Sequence, residues 1–396
     1  MSHAVPRAAS RTEPRTEPRT VLVVDDSAFM RRVVAELVGE CEGFRVVATA
    51  RDGTEALRAA HALAPDVVTL DVAMPGLDGL QVLGYLMSEL PRPVVVLSGL
   101  DEDGLAMRAL ELGALDFVPK PSGPISLAVV VVPERLHAAL RASRAWNRSG
   151  LGVVVARGET ATAPVARATA AHARPADRVV AVAASTGGPN ALAQIVPALP
   201  GALGAAVVVA QHMPAGFTAS LARRLASRAR LAVKEASHGE PLLEDHVYLA
   251  PGGRHLAVTR DADGVPRLTV DDGPARWGVR PCADRLLDAC AAQFGPRTLG
   301  LVLTGMGRDG AEGLRAVRAA GGRALVQARE TAVVPGMPDA ALAHAGADAV
   351  VSLSALAGAV VAHLAELPGL VPDASIGASG APFLPDPTHA RRRSDA

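Results

Sequence analysis

The chain has 396 residues, and its 40 Lys+Arg balance 40 Asp+Glu to a formal net charge of zero. That length suits two domains, each able to bury its own core, and a neutral chain lacks the basic field on which nucleic-acid binding depends. The three cysteines, Cys41, Cys282 and Cys290, show no CxxC or paired metal spacing and read as reduced thiols. The apolar stretch ISLAVVVVP is too short to span a bilayer and the arginine-bearing N-terminus lacks the apolar core of a secretory signal, so a cytoplasmic protein without membrane insertion is expected.

Residues 1–19 carry a duplicated RTEP without apolar periodicity and are expected to be disordered. Strands and helices then alternate: VLVVD, a helix from about Ser27 to Glu40, FRVVATA, a helix around Thr54–Ala64, DVVTLD, PVVVL and DFVP. A helix built on PERLHAALRASRAW closes this first domain, 20–147, and the βα rhythm specifies a doubly wound parallel sheet. Residues 148–177, rich in Ala, Thr, Arg, Gly and Pro, read as a linker, within which GVVVA has the pattern of a short strand. A second α/β domain of the same doubly wound type runs over 178–367, and the polar, proline-containing tail 368–396 is expected to be disordered.

In the first domain the polar residues cluster where the apolar runs end: Asp25 and Asp26 after VLVV, Asp71 after VVTL, Ser98 after VVVL, and Lys120 after DFVP. The carboxyl ends of parallel strands line one crevice, so three carboxylates, a hydroxyl and an ammonium should meet there. Gathered carboxylates repel unless a cation offsets them, and Mg²⁺ takes such oxygens together with water and phosphate. Lys120 and Ser98 suit phosphoryl oxygens. The stretches VDDSAFMRR, LDVAMPGLDGL, VVVLSG and DFVPKP make residues 20–145 resemble the receiver domain of two-component response regulators, with its flavodoxin-like fold. The resemblance implies Asp71 as phosphoacceptor from a histidine kinase and Mg²⁺ held by Asp25, Asp26, Asp71 and the carbonyl of Ala73. It also implies Ser98 and Lys120 as stabilisers of the phosphorylated state and Phe117 as the aromatic switch residue.

Three strand ends in the second domain also carry chemistry: Ser185 after RVVAVAA, His212 after AAVVVAQ, and Asp309 in GMGRDG after TLGLVLT. A hydroxyl at a helix N-terminus, an imidazole and a carboxylate on one crevice supply nucleophile, base and base-orienter. Each taken singly has a plainer reading, Ser185 as a helix N-cap and His212 as a satisfied polar group. Gly305, Gly307 and Gly310 also spell GxGxxG with Glu330 about 20 residues on, the pattern of a dinucleotide site, although Asp309 would then face a pyrophosphate. His238 and His255 read as surface or turn residues, and Arg223, Arg224 and Arg228 as a solvated face or one that meets acidic helices.

The stretches ASTGGP, QHMPAGFTASLARRL, HVYLAPGGRHL, LTGMGRDG and PGMPDAAL make 178–367 similar to the catalytic domain of the chemotaxis protein-glutamate methylesterases, which has a Rossmann-like sheet. That resemblance implies Ser185, His212 and Asp309 as catalytic residues, with Thr186 and Met306 supporting the site and its oxyanion. It implies methyl-accepting chemoreceptor helices as substrate, glutamine deamidation as a second activity, and no cofactor for the ester chemistry. Ala183 departs from the family's usual glycine, and Cys282-Ala283-Asp284 from its usual Ser-Val-Asp. An unphosphorylated receiver is expected to pack over the esterase crevice.

Overall fold

Apolar runs too short for helices and bounded by Gly, Asp or Pro become the buried strands of two parallel sheets in the computed structural model, which describes residues 17–99, 103–120, 128–147 and 174–368. The first unit is β1 (Arg19–Val24), α1 (Ala28–Glu40), β2 (Phe44–Ala50), α2 (Gly53–Leu63) and β3 (Val67–Asp71), followed by α3 (Gly79–Glu89) and β4 (Val94–Ser98). It continues through α4 (Asp103–Glu111) and β5 (Asp116–Pro119) to α5 (Ala128–Ser143). Its sheet runs β2-β1-β3-β4-β5, all parallel. Ser27 and Asp52 cap α1 and α2 through their side chains, and Asp78 opens α3 with a full capping box. The helix expected from PERLH starts earlier, at Ala128, and runs through Pro133. Residues 1–16 and 369–396 of the two expected disordered tails, most of the linker and its GVVVA run lie outside the described residues, while Arg19, expected in the first tail, already belongs to β1.

The second unit holds β6 (Val179–Ala184), α6 (Gly188–Ala198), β7 (Ala206–Gln211), α7 (Phe217–Ala226), β8 (Ala232–Glu235) and β9 (His246–Leu249). Then come β10 (His255–Arg260), β11 (Pro266–Asp271), α8 (Ala283–Phe294), β12 (Thr298–Val302) and α9 (Ala311–Ala319). β13 (Arg323–Gln327), α10 (Gly336–His344), β14 (Ala349–Val351) and α11 (Leu356–Glu366) complete it. The seven-stranded sheet is ordered β14-β13-β12-β6-β7-β9-β8, while β10 and β11 form a separate antiparallel hairpin packed against α8. Residues 174–176 already pair with 242–244, through Ala176 N–H to Leu242 O and Glu244 N–H to Arg174 O.

Both sheets reverse their strand order at one point, between β1 and β3 in the first and around β6 in the second. Crevices at such switch points bind ligands. Asp25 and Asp71 end the strands at the first. Ser185, His212 and Asp309 follow β6, β7 and β12 at the second.

The two units share a face. Helix α4 packs on α7, Phe117 of β5 lies against Phe217 of α7 with ring centroids 4.4 Å apart, and Asn147 N–H donates to Val333 O at 3.0 Å. Glu111 closes ion pairs with Arg224 and Arg228, the latter at 3.2 Å. Of the two readings, a solvated face or one that meets acidic helices, the second describes Arg224 and Arg228 here: both meet Glu111 of the first unit, with Arg228 still exposed.

Candidate active site and the receiver that faces it

Ser185 and His212 are fixed by the backbone before their side chains come into play. Ser185 N–H donates to Thr304 O at 3.1 Å and His212 N–H to Ala184 O at 3.0 Å, so both extend the parallel ladder by one residue. Gln211, fully buried, donates from Nε2 to Ser185 O at 3.0 Å and to His212 O at 3.3 Å, tying the two strand ends together. Thr304 does the same on the other side, its hydroxyl 3.0 Å from Thr186 O.

Asp309 completes the arrangement, its Oδ2 2.8 Å from His212 Nε2. That carboxylate is almost fully buried and saturated. Oδ2 also accepts Ala283 N–H at 2.7 Å; Oδ1 accepts Asp284 N–H at 2.9 Å, the Cys282 thiol at 3.1 Å and Gly310 N–H at 3.0 Å. Burial alone would raise its pKa, but the His212 hydrogen bond and charge and the Ala283 and Asp284 amides outweigh it and hold the carboxyl down at about 2. Burial and the Asp309 charge push the Cys282 thiol up to about 12, so it stays protonated and serves as a donor. The Cys282 thiol is thus one of the donors that saturate Asp309 Oδ1. The Ala183 methyl is accommodated beside Gly310, whose φ of +92° and crowded Cα leave no space for a side chain.

A carboxyl lowered from 3.8 to about 2 stabilises the fold by about 2 kcal/mol above pH ~4. The unfolded chain takes up the proton first, so that stabilisation is lost as pH falls from about 4 through 2. Denaturation of the wild type against Asp309→Asn should show an advantage that shrinks across this window and is absent below it.

The dinucleotide pattern finds no support here. In the Gly305–Gly310 turn, Gly305 N–H donates to Val334 O and Gly310 N–H to the carboxylates of Asp284 and Asp309. The first and last glycine amides of the pattern are thus occupied by the protein's own oxygens.

A cavity of about 310 Å³ joins the site to the first unit, lined by Ser185, Thr186, His212 and Met306 on one side and Asp116, Phe117 and Arg135 on the other. Thr186, beside the nucleophile position, donates its hydroxyl to Asp116 Oδ2 at 2.8 Å. Burial raises the Asp116 pKa, and Arg135 and that hydrogen bond oppose it. Sequence reasoning missed Asp116 because it looks like an ordinary polar strand start. His255 is also a correction: it is fully buried, with Nε2 3.0 Å from Pro274 O and Nδ1 accepting Cys282 N–H at 3.1 Å.

In the first unit Lys120 Nζ lies 3.0 Å from Asp25 Oδ2 and 2.6 Å from Asp71 Oδ2. Among the described residues no other donor is aimed at these two buried oxygens. Asp25 Oδ1 accepts Ser27 N–H at 2.9 Å and Asp71 Oδ1 accepts Ala73 N–H at 3.1 Å. Ligand oxygens of Asp25, Asp26 and Asp71 lie within 4.8 Å of one another, and burial raises the Asp25 pKa. Acceptors short of donors, with an exposed third carboxylate beside them, are a donor set that a hard divalent cation such as Mg²⁺ fits. Ser98 is fully buried at the end of β4, its hydroxyl 3.3 Å from Gly99 O.

Two family models match: the response regulator receiver domain over residues 21–131, and the CheB methylesterase over residues 180–360. A "Protein-glutamate methylesterase/protein-glutamine glutaminase 3" of Geobacter sulfurreducens is 42% identical over 86% of this chain and 96% of its own length. A relative of the same description from Geobacillus kaustophilus is 44% identical over 87% of this chain and 99% of its own. The chain belongs to the CheB methylesterase family. The solved catalytic domain of the Thermotoga maritima CheB methylesterase is 39% identical, covering 47% of this chain and 97% of that one, with a TM-score of 0.46. In this CheB-family chain the receiver and methylesterase halves meet through α4 and β5 of the receiver, α5 lines the cavity between them, and Asp116 reaches from β5 to the residue after Ser185. Among the described residues no helix is long and apolar enough to cross a membrane.

Proposed function

We propose that this chain hydrolyses glutamate γ-methyl esters, and deamidates glutamines, on the cytoplasmic helices of methyl-accepting chemoreceptors, under control of phosphorylation at Asp71. Residues 20–147 act as receiver, 148–177 as linker and 178–367 as hydrolase. The observation that carries the reading is the His212–Asp309 pair, 2.8 Å long and buried, opening on the same cavity as Ser185. The names of relatives that match nearly end to end support the substrate class.

His212 Nε2–H donates to Asp309, which leaves Nδ1 with the lone pair and makes it the base. Nδ1 takes the Ser185 Oγ proton as Oγ attacks the ester carbon. Among the described residues the backbone N–H groups of Thr186 and Met306 have no acceptor, so they are free to meet the oxyanion. The intermediate collapses, the imidazolium protonates the departing oxygen, and methanol leaves. Water deprotonated by Nδ1 then attacks the acyl-enzyme and releases glutamate and Ser185. With an amide substrate the leaving group is ammonia.

In the receiver, Asp25, Asp26, Asp71 and the Ala73 carbonyl would hold Mg²⁺, which when bound offsets the charge on the transferring phosphoryl group. The Asp71 carboxylate accepts that group from a histidine kinase; Lys120 and Ser98 then bind its oxygens, and Phe117 responds by repacking. Such a protein works in the cytoplasm, where kinase and receptor helices are found.

A serine-directed fluorophosphonate is expected to label Ser185, and Ser185→Ala to lower methanol release from methylated receptor about 10⁴-fold or more. Release that persists in Ser185→Ala would refute the mechanism.

A further inference from the structure

The loop between β11 and α8 contains a backbone choice that local preferences do not explain. Arg276 and Val279 exchange N–H···O bonds of 3.3 and 3.0 Å around the two-residue turn Trp277-Gly278, with φ of +58° and +74°. Two positive φ angles define the mirror-image hairpin turn, whose first position favours Asn, Asp or Gly. A bulky aromatic residue there is strained, and Trp277 is not repaid by burial, since 42% of it remains exposed. Strain of this kind, kept next to residues that line the cavity, points to function.

The ring is nevertheless held firmly. Its Nε1–H donates to Asp284 Oδ2 at 2.8 Å, and the Arg308 guanidinium lies 4.1 Å over its centroid. Asp284 is fully buried and its Oδ1 accepts Gly310 N–H at 2.9 Å and Gly313 N–H at 2.8 Å, on either side of the turn into α9. Arg308 and Gly310 flank Asp309. The next residues of the loop, Gly278, Val279 and Arg280, line the cavity with Ser185 and His212, as does the exposed Met306. An exposed indole is thereby tied at two points to the turn that carries the catalytic carboxylate.

We propose that Trp277 is a specificity-determining residue: an anchored aromatic lip on which the protein segment flanking the esterified side chain packs, with Asp284 holding lip and Asp309 turn in one position. The inference rests on the reading of Ser185 as an esterase nucleophile acting on protein. An indole with one edge fixed and part of its surface still exposed, even with the Arg308 and Arg276 guanidinium groups over the ring, buries apolar area at little conformational cost, and a methyl ester alone is too small to use it. A protein substrate gains this contact; a small ester does not.

The test compares kcat/KM for methylated receptor fragment with kcat/KM for an N-acetyl glutamate γ-methyl ester, using the full chain treated with acetyl phosphate and Mg²⁺. Trp277→Asn suits the turn but removes the ring and its hydrogen bond to Asp284, so the rate on the small ester reports whether the site stays intact, while the receptor-to-small-ester ratio is expected to fall about tenfold. Trp277→Phe, which retains a ring without the N–H, should recover most of that ratio. An unchanged ratio in Trp277→Asn, or an equal loss on both substrates, would overturn the proposal. If the wild type hydrolyses neither ester, the esterase reading itself fails and the inference falls with it.

Discussion

Replacing Asp309 with asparagine is expected to lower kcat about 10⁴-fold. The size of the effect follows from how many donors converge on this carboxylate. Ala283 N–H and His212 Nε2–H both point at Oδ2, while Asp284 N–H, Gly310 N–H and the Cys282 thiol point at Oδ1. An amide nitrogen in either position faces at least two donors. If it sits toward His212, the imidazole must flip its tautomer and present N–H to Ser185, where a lone pair is required. If it sits at Oδ1, the buried Asp284 amide loses its acceptor at about 1–3 kcal/mol and the Cys282 thiol loses its own, while Gly310 N–H keeps Asp284 Oδ1. Steady-state methanol release together with thermal denaturation separates the two contributions. A variant within tenfold of wild type would mean that Asp309 does not orient the base.

Charge reversal at Glu111 should act in the opposite direction. Glu111→Arg sets a third guanidinium against Arg224 and Arg228 in place of their shared partner. Facing like charges across this partly buried contact should loosen the α4–α7 packing and with it the Asp116–Thr186 hydrogen bond. A coupling of about 1–3 kcal/mol corresponds to a rise of roughly 5–150-fold in the activity of the unphosphorylated chain, with little further gain from phosphodonor. Adding Arg224→Glu to the variant should restore much of the low basal rate. Phosphorylation is expected to use the same face: Lys120, now between Asp25 and Asp71, sits one residue beyond β5, and β5 carries both Phe117 and Asp116 into the methylesterase half. An unchanged basal rate in Glu111→Arg would show that the interface does not restrain the enzyme.

What could be read from the sequence depended on how local the cause was. Ser185, His212, Asp25, Asp71 and Lys120 each close a short apolar run and Asp309 lies in the glycine turn after one, and the strand-end rule for parallel sheets gathers such positions without knowledge of the full topology. Contacts set by packing between units were not legible. The Asp116–Thr186 and Glu111–Arg224 pairs join residues 70 and 113 apart, and neither partner has a periodicity that names the other. His255 looked like a turn residue because it follows APGGR, yet β10 carries it under α8, where both ring nitrogens find partners. Helix α5 was expected to begin near Pro133, since proline lacks a donor and usually starts a helix; the backbone instead carries the helix through it from Ala128. Trp277 and Asp284 gave no signal because their roles depend on where a hairpin turn meets the N-terminus of α8.

The most direct test of the account is methanol release from methylated receptor by the intact chain, measured with and without acetyl phosphate and Mg²⁺, alongside Ser185→Ala and Asp71→Asn. The expected result is release that rises with phosphodonor, stays at the basal rate in Asp71→Asn and vanishes in Ser185→Ala. Release that ignores the phosphodonor, or stimulated release that survives the loss of Ser185, would contradict it.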